Sequence, residues 1–288
     1  MLWFSLSIIT ALSVALRDVS VRTYEGLTAS DIAVLELLWS LPLLVVVFMI
    51  VPRPEIGPGF WLVVCVTLPM NILAYVLYLK SIKVSPISLS VPLLSFTPAF
   101  MIVTGFFILG EKVSTAGAAG IVLIVAGSYV LNLEQVSEKG WLAPLVALLF
   151  ERGPLYMLGT AFLFSFCAVL GKKGILLSSA LYFSYLFFIL LNLLVVAGIV
   201  LFRQTSFKRL RPHNTKGFWL GGLLLVHITC HALAVEMATA AYMVAVKRTS
   251  VLFSVLLGWW ILKERHMQTR LPGTVLMFAG AVLISIYG

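Results

Sequence analysis

The sequence predicts an all-α integral membrane protein whose ten transmembrane helices form two inverted five-helix repeats. Three observations carry that prediction. The chain is 61% hydrophobic and only 11% charged, with a mean hydropathy of +1.09, whereas a soluble domain carries roughly 25% charged residues. Apolar runs of about 17–25 residues, enough to cross a bilayer, recur ten times. Finally, a segment in the middle of the chain returns near its end at a fixed offset. In a soluble protein a net charge of +9 would point to nucleic acid. A polytopic membrane protein instead collects Lys and Arg in its loops for insertion, so no nucleic-acid partner is expected.

The spans, in order, are about 2–24, 30–51, 59–80, 86–109, 114–132, 154–172, 179–202, 217–237, 240–262 and 270–287. The first opens on "MLWFSLSIITALSVAL", which lacks a basic start and a small-residue cleavage site, so it reads as a retained span and not a removed signal peptide. Span four carries Pro86, Pro92 and Pro98. Each removes a backbone donor and frees a carbonyl one turn earlier, which in a membrane must face protein or a water-lined cavity. Most loops are short. Of the two longer ones, 133–153 holds an apolar stretch, Trp141–Phe150, too short to span and read as interfacial, and 203–216 is a solvated basic connector. Cys65, Cys167 and Cys230 fall inside apolar segments without paired spacing and are expected to pack as small apolar groups.

The repeat sets the architecture. "GEKVSTAGAAGIVLIVAG" (110–127) resembles "KERHMQTRLPGTVLMFAG" (263–280): Glu111 aligns with Glu264, Gly120 with Gly273 and Gly127 with Gly280, each 153 residues apart without a gap. Lys112 and Arg265 agree in charge at the same offset. The chain therefore divides into a first repeat (1–132), a connecting loop with the interfacial segment (133–153) and a second repeat (154–288). Five is odd, so the second repeat must enter the membrane from the opposite side. Inverted repeats of this kind are a transporter architecture, with the substrate held near midplane between the halves.

An apolar span, then Glu and a basic residue, then Gly-x6-Gly in the next span, occurs twice. That pattern resembles the drug/metabolite transporter superfamily, and more narrowly its ten-helix branch with two EamA domains. The stretch "AYMVAVKRTSVLFSVLLGWWILKER" (241–265) is the strongest local match, to the penultimate span of that family. The resemblance covers the whole chain and implies a carrier. It leaves the solute open, because members export amino acids, sugars, nucleotide-like compounds and drugs.

Several polar residues inside the spans are candidates for the transport path. Lys247 and Arg248 lie seven or eight residues into span nine, about 11–12 Å by helix rise. Adjacent residues project about 100° apart, so one is expected to face solute while the other snorkels or pairs with an acid such as Glu36 or Glu236. Span four lacks that cation pair. At the 153-residue offset its Pro92 and Pro98 correspond to Ala245 and Val251. Ser90 lies among the prolines as a cavity-lining candidate. Asn71, Tyr75 and Tyr78 share a face of span three and offer hydrogen bonds and ring stacking, unless the tyrosines form an interfacial belt. Trp39 of span two joins the substrate-binding set. Glu36 is deep enough to need a partner or a proton, and Arg17 and Asp18 are either further coupling or ion-pair candidates or simply the end of span one. His227 and His231 are one turn apart on span eight, followed by Glu236. The pair suits cavity lining or proton coupling. It lacks a third ligand for a metal, so no metal or cofactor is expected. Gly120, Gly127, Gly273 and Gly280 read as close-packing positions, and Pro92, Pro98, Glu111 and Glu264 as structural.

Loop charge and resemblance disagree on orientation. With cytoplasmic termini the cytoplasmic loops would hold only Arg53, Lys112, Lys172 and Lys173, against thirteen cations opposite. The positive-inside rule thus favours external termini, whereas the resemblance favours internal ones. The reading is a secondary active transporter, of exporter type, for a small polar or amphipathic metabolite in a multi-pass location in the bacterial plasma (inner) membrane. It works by alternating access and is driven by protons or by exchange. Its partners are the substrate and the lipid bilayer, with a homodimer left open. The absence of a P-loop argues against direct use of ATP. No nucleophile–base pair supports an intramembrane enzyme, so no catalytic residues are assigned. A channel or a membrane receptor is the remaining alternative.

Overall fold

Apolar runs in a bilayer fold as helices because each backbone group must be satisfied within its own segment. The computed structural model describes all residues except 25, 86–89, 134–144, 147–149, 202–204, 206, 263–266 and 288, and among the described residues it contains helices and no strand. The helices are α1 (Leu2–Arg22), α2 (Ala29–Ile50), α3 (Phe60–Val84), α4 (Thr97–Leu109), α5 (Thr115–Leu133), α6 (Arg152–Leu176), α7 (Ala180–Leu201), α8 (Asn214–Met237), α9a (Ala240–Lys247), α9b (Ser250–Leu262) and α10 (Met267–Tyr287). A six-residue 3-10 segment, Val91–Phe96, leads into α4. Counted with the pieces of spans four and nine joined, eight are long and apolar enough to cross a bilayer, and two shorter apolar helices, Thr115–Leu131 and Pro272–Tyr287, bring the total to ten. The protein is an integral, multi-pass membrane protein. Glu264 and most of the Trp141–Phe150 stretch lie outside the described residues.

The packing follows a pseudo-twofold. α3 packs along α6, and α1 packs along α8; α1 touches both parts of span nine, as α6 touches both parts of span four; α2 meets α7, and α5 meets α10. Exchanging each helix for its counterpart five places on maps these pairs onto one another, but α8 also packs along α2, whereas the counterpart contact between α3 and α7 is slight. The α5–α10 contact also gives the sense of the symmetry. A Cβ on Gly120 would lie 2.9 Å from the Gly280 carbonyl, and one on Gly127 would lie 2.5 Å from that of Gly273. The earlier glycine of one helix meets the later glycine of the other, so the two spans run antiparallel, with their backbones in contact through the four positions.

Spans four and nine are both broken, at equivalent places. The 3-10 segment gives way to α4 at Thr97, and 153 residues later α9b starts at Ser250. In span four Pro92 and Pro98 stand at the starts of their helical segments and not in the interior of one long helix. Pro98 has no N–H, so the carbonyl of Leu94 loses its donor one turn on. Both the N–H and the hydroxyl of Thr97 donate to it, the hydroxyl at 2.7 Å. Span nine breaks without proline. There the Thr249 hydroxyl donates to the Val246 carbonyl at 2.7 Å, the same three-residue back-bond, which competes with regular helix geometry.

Ties between the repeats close both ends of the bundle. Glu111 follows Gly110, which takes the left-handed φ of +68° that ends α4. Its carboxylate accepts the Ala240 N–H at 3.0 Å, capping α9a, and forms a buried ion pair with Lys172, whose ammonium also donates to the Ala238 carbonyl. At the other end Asp31 closes a capping box with Thr28. It also accepts from the Thr205 hydroxyl at 2.5 Å, with Arg209 3.4 Å away.

Candidate functional site

Two adjoining cavities lie between the repeats, of about 400 and 330 Å³. Asn71, Phe164 and Phe188 line both and so mark the waist between them. The larger cavity takes its walls from α1, α2, α3, α6, α7 and α8, the smaller from α3, span four, α6, α7, α8 and span nine. Span seven contributes to both.

The larger cavity holds the acid that the sequence singled out. Glu36 is 3% exposed, and a carboxylate so placed requires a partner. Arg17 supplies it through a two-point contact, Nε to Oε1 at 2.6 Å and an Nη to Oε2 at 2.7 Å. Asp18 adds a second, more exposed contact to Arg17 at 3.3 Å. Arg17 and Asp18 thus form an ion-pair group with Glu36 near the end of α1. Both oxygens of Glu36 are committed, so the pair is electrically closed. Asn71 and Tyr75 line this cavity with His227. Tyr78 does not: it packs against Leu93, Tyr129 and Met157.

The smaller cavity holds the cations. Its lining includes Lys172, His231, Lys247 and Arg248. Lys172 is neutralised by Glu111. Arg248 reaches across to span four and donates through Nη to the Leu94 carbonyl and the Thr97 hydroxyl, both at 3.2 Å. It thereby adds a further donor to the carbonyl that Pro98 cannot serve and joins the two helix breaks. Its Nε is buried without a partner among the described residues, and so is Nδ1 of His231. Lys247 makes no hydrogen bond or ion pair among the described residues. Neither cation pairs with Glu36 or Glu236. Glu36 is held by Arg17, and Glu236 is exposed, beside a separate shallow pocket near Pro52 and Pro54. An intramembrane cation costs about 2.5–3.5 kcal/mol on insertion scales, so two side by side without a carboxylate are an expensive arrangement.

His227 and His231 stack, with ring centroids 5.8 Å apart and planes 16° from parallel. One ring lines each cavity, so the pair crosses the waist. Among the described residues no group of three His, Cys, Asp or Glu side chains could hold a metal. Ser90 is fully buried, its hydroxyl has no partner among the described residues, and it lines neither cavity. Trp39 packs into α8, where a Cβ on Gly217 would lie 2.3 Å from its ring, and meets Phe218 edge-on at 6.1 Å. It is a helix-packing residue.

Sequence reasoning placed Lys172 in a loop because it follows an apolar run and precedes Lys173. Helix α6 continues to Leu176 and keeps Lys172 inside. It also passed over Asn192, a lone amide within the apolar span seven that donates to Ser40 at 2.8 Å and lines the larger cavity. An isolated polar residue in such a run is the signal that would have found it.

Fold and cavities together define a polytopic membrane protein whose two halves enclose a solute-sized space. Residues 1–133 match the EamA-like transporter family, so the first repeat is an EamA-like domain, of the drug/metabolite transporter superfamily, and the match points to membrane transport. No curated protein matches the chain. A solved structure described only as a crystal structure of a protein is similar over 99% of this chain and 96% of its own, with a TM-score of 0.77 at 13% identity. At that identity the likeness shows the fold alone, and it shows it for both halves.

Proposed function

We propose that the protein is a secondary carrier that moves a small polar or amphipathic metabolite by alternating access across a bacterial plasma membrane. The observation that carries this reading is the placement of the double cavity. It sits at the junction of the repeats, beside the breaks in spans four and nine, and its lining carries polar groups that nothing among the described residues satisfies. Inverted-repeat carriers bind solute at such a junction and rock one half against the other. The breaks supply hinges, and the ties at the two ends, Glu111–Lys172 and Asp31–Thr205, are the contacts that rocking would have to exchange. The drive is a proton gradient or solute exchange. Glu36 is closed by Arg17, which leaves the stacked histidines as the groups suited to a proton. The reading involves no cofactor.

Proteoliposomes test this directly. The expected result is saturable uptake of a metabolite that accelerates when the same solute is trapped inside. Uptake that rises linearly with concentration and ignores trapped solute would make the protein a channel. Failure of any solute in a broad metabolite panel to move would leave a membrane interaction protein.

A further inference from the structure

We infer that the smaller cavity is an anion site and that its ligand carries two negative charges, in the form of a dicarboxylate or a phosphate monoester. The inference rests on the carrier reading above and names the substrate class for it.

Charge bookkeeping around the cavity leads there by elimination. Three cations line it, Lys172, Lys247 and Arg248, and among the described residues no carboxylate does. The carboxylates nearby are engaged or elsewhere: Glu111 neutralises Lys172, Glu36 is held at both oxygens by Arg17, and Glu236 is exposed beside another pocket. Two positive charges remain. Arg248 leans on neutral oxygens only, the Leu94 carbonyl and the Thr97 hydroxyl, which satisfy its geometry without cancelling its charge.

The donors also converge. Four buried side-chain polar atoms lack a partner among the described residues, and two of them, Arg248 Nε and His231 Nδ1, belong to residues lining this one cavity. Lys247 adds an ammonium without a hydrogen bond. Buried polar groups are nearly always paired in native proteins, so three unmet nitrogen groups around about 330 Å³ describe the complement of an oxygen-rich anion. Arginine and lysine together suit planar carboxylates and phosphates alike. The waist formed by Phe164 and Phe188 gives the rest of the ligand an apolar neighbour.

The test is equilibrium binding to purified full-length protein in detergent, by calorimetry at fixed ionic strength. The probes are succinate, phenyl phosphate, butyrate and butylamine. Succinate or phenyl phosphate is expected to bind at least tenfold more tightly than butyrate, with butylamine not binding; whichever of the two is tighter assigns the headgroup. Lys247→Gln is expected to weaken that binding at least tenfold, and His231→Gln to weaken it several-fold. Both variants should retain the wild-type elution profile and melt no lower than the wild type, since neither side chain holds a helix and Lys247→Gln removes an unpaired charge. Equal affinity for butyrate and the dianions, unchanged binding in Lys247→Gln, or no binding of any probe at 10 mM overturns the anion site. Trans-stimulated transport of a neutral or cationic solute would do the same while leaving the carrier reading intact. Loss of all saturable transport removes the carrier reading itself.

Discussion

At the residue scale, the cost of an intramembrane charge explains where these side chains sit. Arg17 and Glu36 are nineteen residues apart in sequence, and the sequence marked both as costly in a membrane without joining them. Lys172 and Glu111 are further apart still, and only the folded chain shows that they neutralise each other at side-chain exposures of 9% and 12%. Breaking such a pair leaves one charge buried and uncompensated, at a cost of about 3–5 kcal/mol. Lys172→Ala and Glu111→Ala are therefore each expected to lower stability by that order in denaturant titrations of the detergent-solubilised protein. The double variant Glu111→Gln with Lys172→Met should recover most of the loss, because the neutral amide oxygen introduced on the first side chain still accepts the Ala240 N–H. A double variant as unstable as the single ones would mean that the charges themselves are not what the contact supplies.

At the element scale, glycine spacing was the most readable part of the sequence. A seven-residue interval returns a helix to nearly the same face, and the repeat of that interval 153 residues later identified two such faces. That the faces meet each other required the fold. Gly127→Ala would place a Cβ 2.5 Å from the Gly273 carbonyl, a backbone atom that cannot rotate aside. It is expected to cost about 1–3 kcal/mol, in line with overpacking elsewhere, with a matching fall in melting temperature. Gly198→Ala, where a Cβ meets nothing within 4 Å, should leave the melting temperature unchanged. The breaks were half legible. The prolines of span four announced a break, but span nine carries none and breaks at the equivalent residue. Its signal is Thr249, a hydroxyl that bonds back to its own turn and is hard to tell in sequence from an ordinary buried threonine.

At the scale of the whole molecule, ten crossings place the two ends of the chain on one face and the 203–216 connector on the other. Single cysteines at Thr205 and Tyr287 are expected to react with an impermeant thiol reagent from opposite sides of the membrane, on a background in which Cys65, Cys167 and Cys230 are replaced. Labelling of both from one side would contradict the helix order. Lys172 no longer counts among the loop cations once it is seen within α6, paired with Glu111. The loops on the face of the termini are then poorer in positive charge than the sequence count suggests, which sharpens the asymmetry between the faces.

The sequence by itself determined that the protein lives in a membrane, that it crosses ten times, and that its halves are inverted copies. Hydropathy and repeat spacing are local or periodic properties, and a bilayer turns them into helices with little freedom of choice. The tertiary structure decided which charges cancel and which stand open. An ion pair depends on side chains brought together from distant spans. Lys247 and Arg248 were visible as an anomaly in one helix. Only the packing of six helices around them shows that the acids within reach are already taken, and that Arg248 also fastens the break in the opposite repeat.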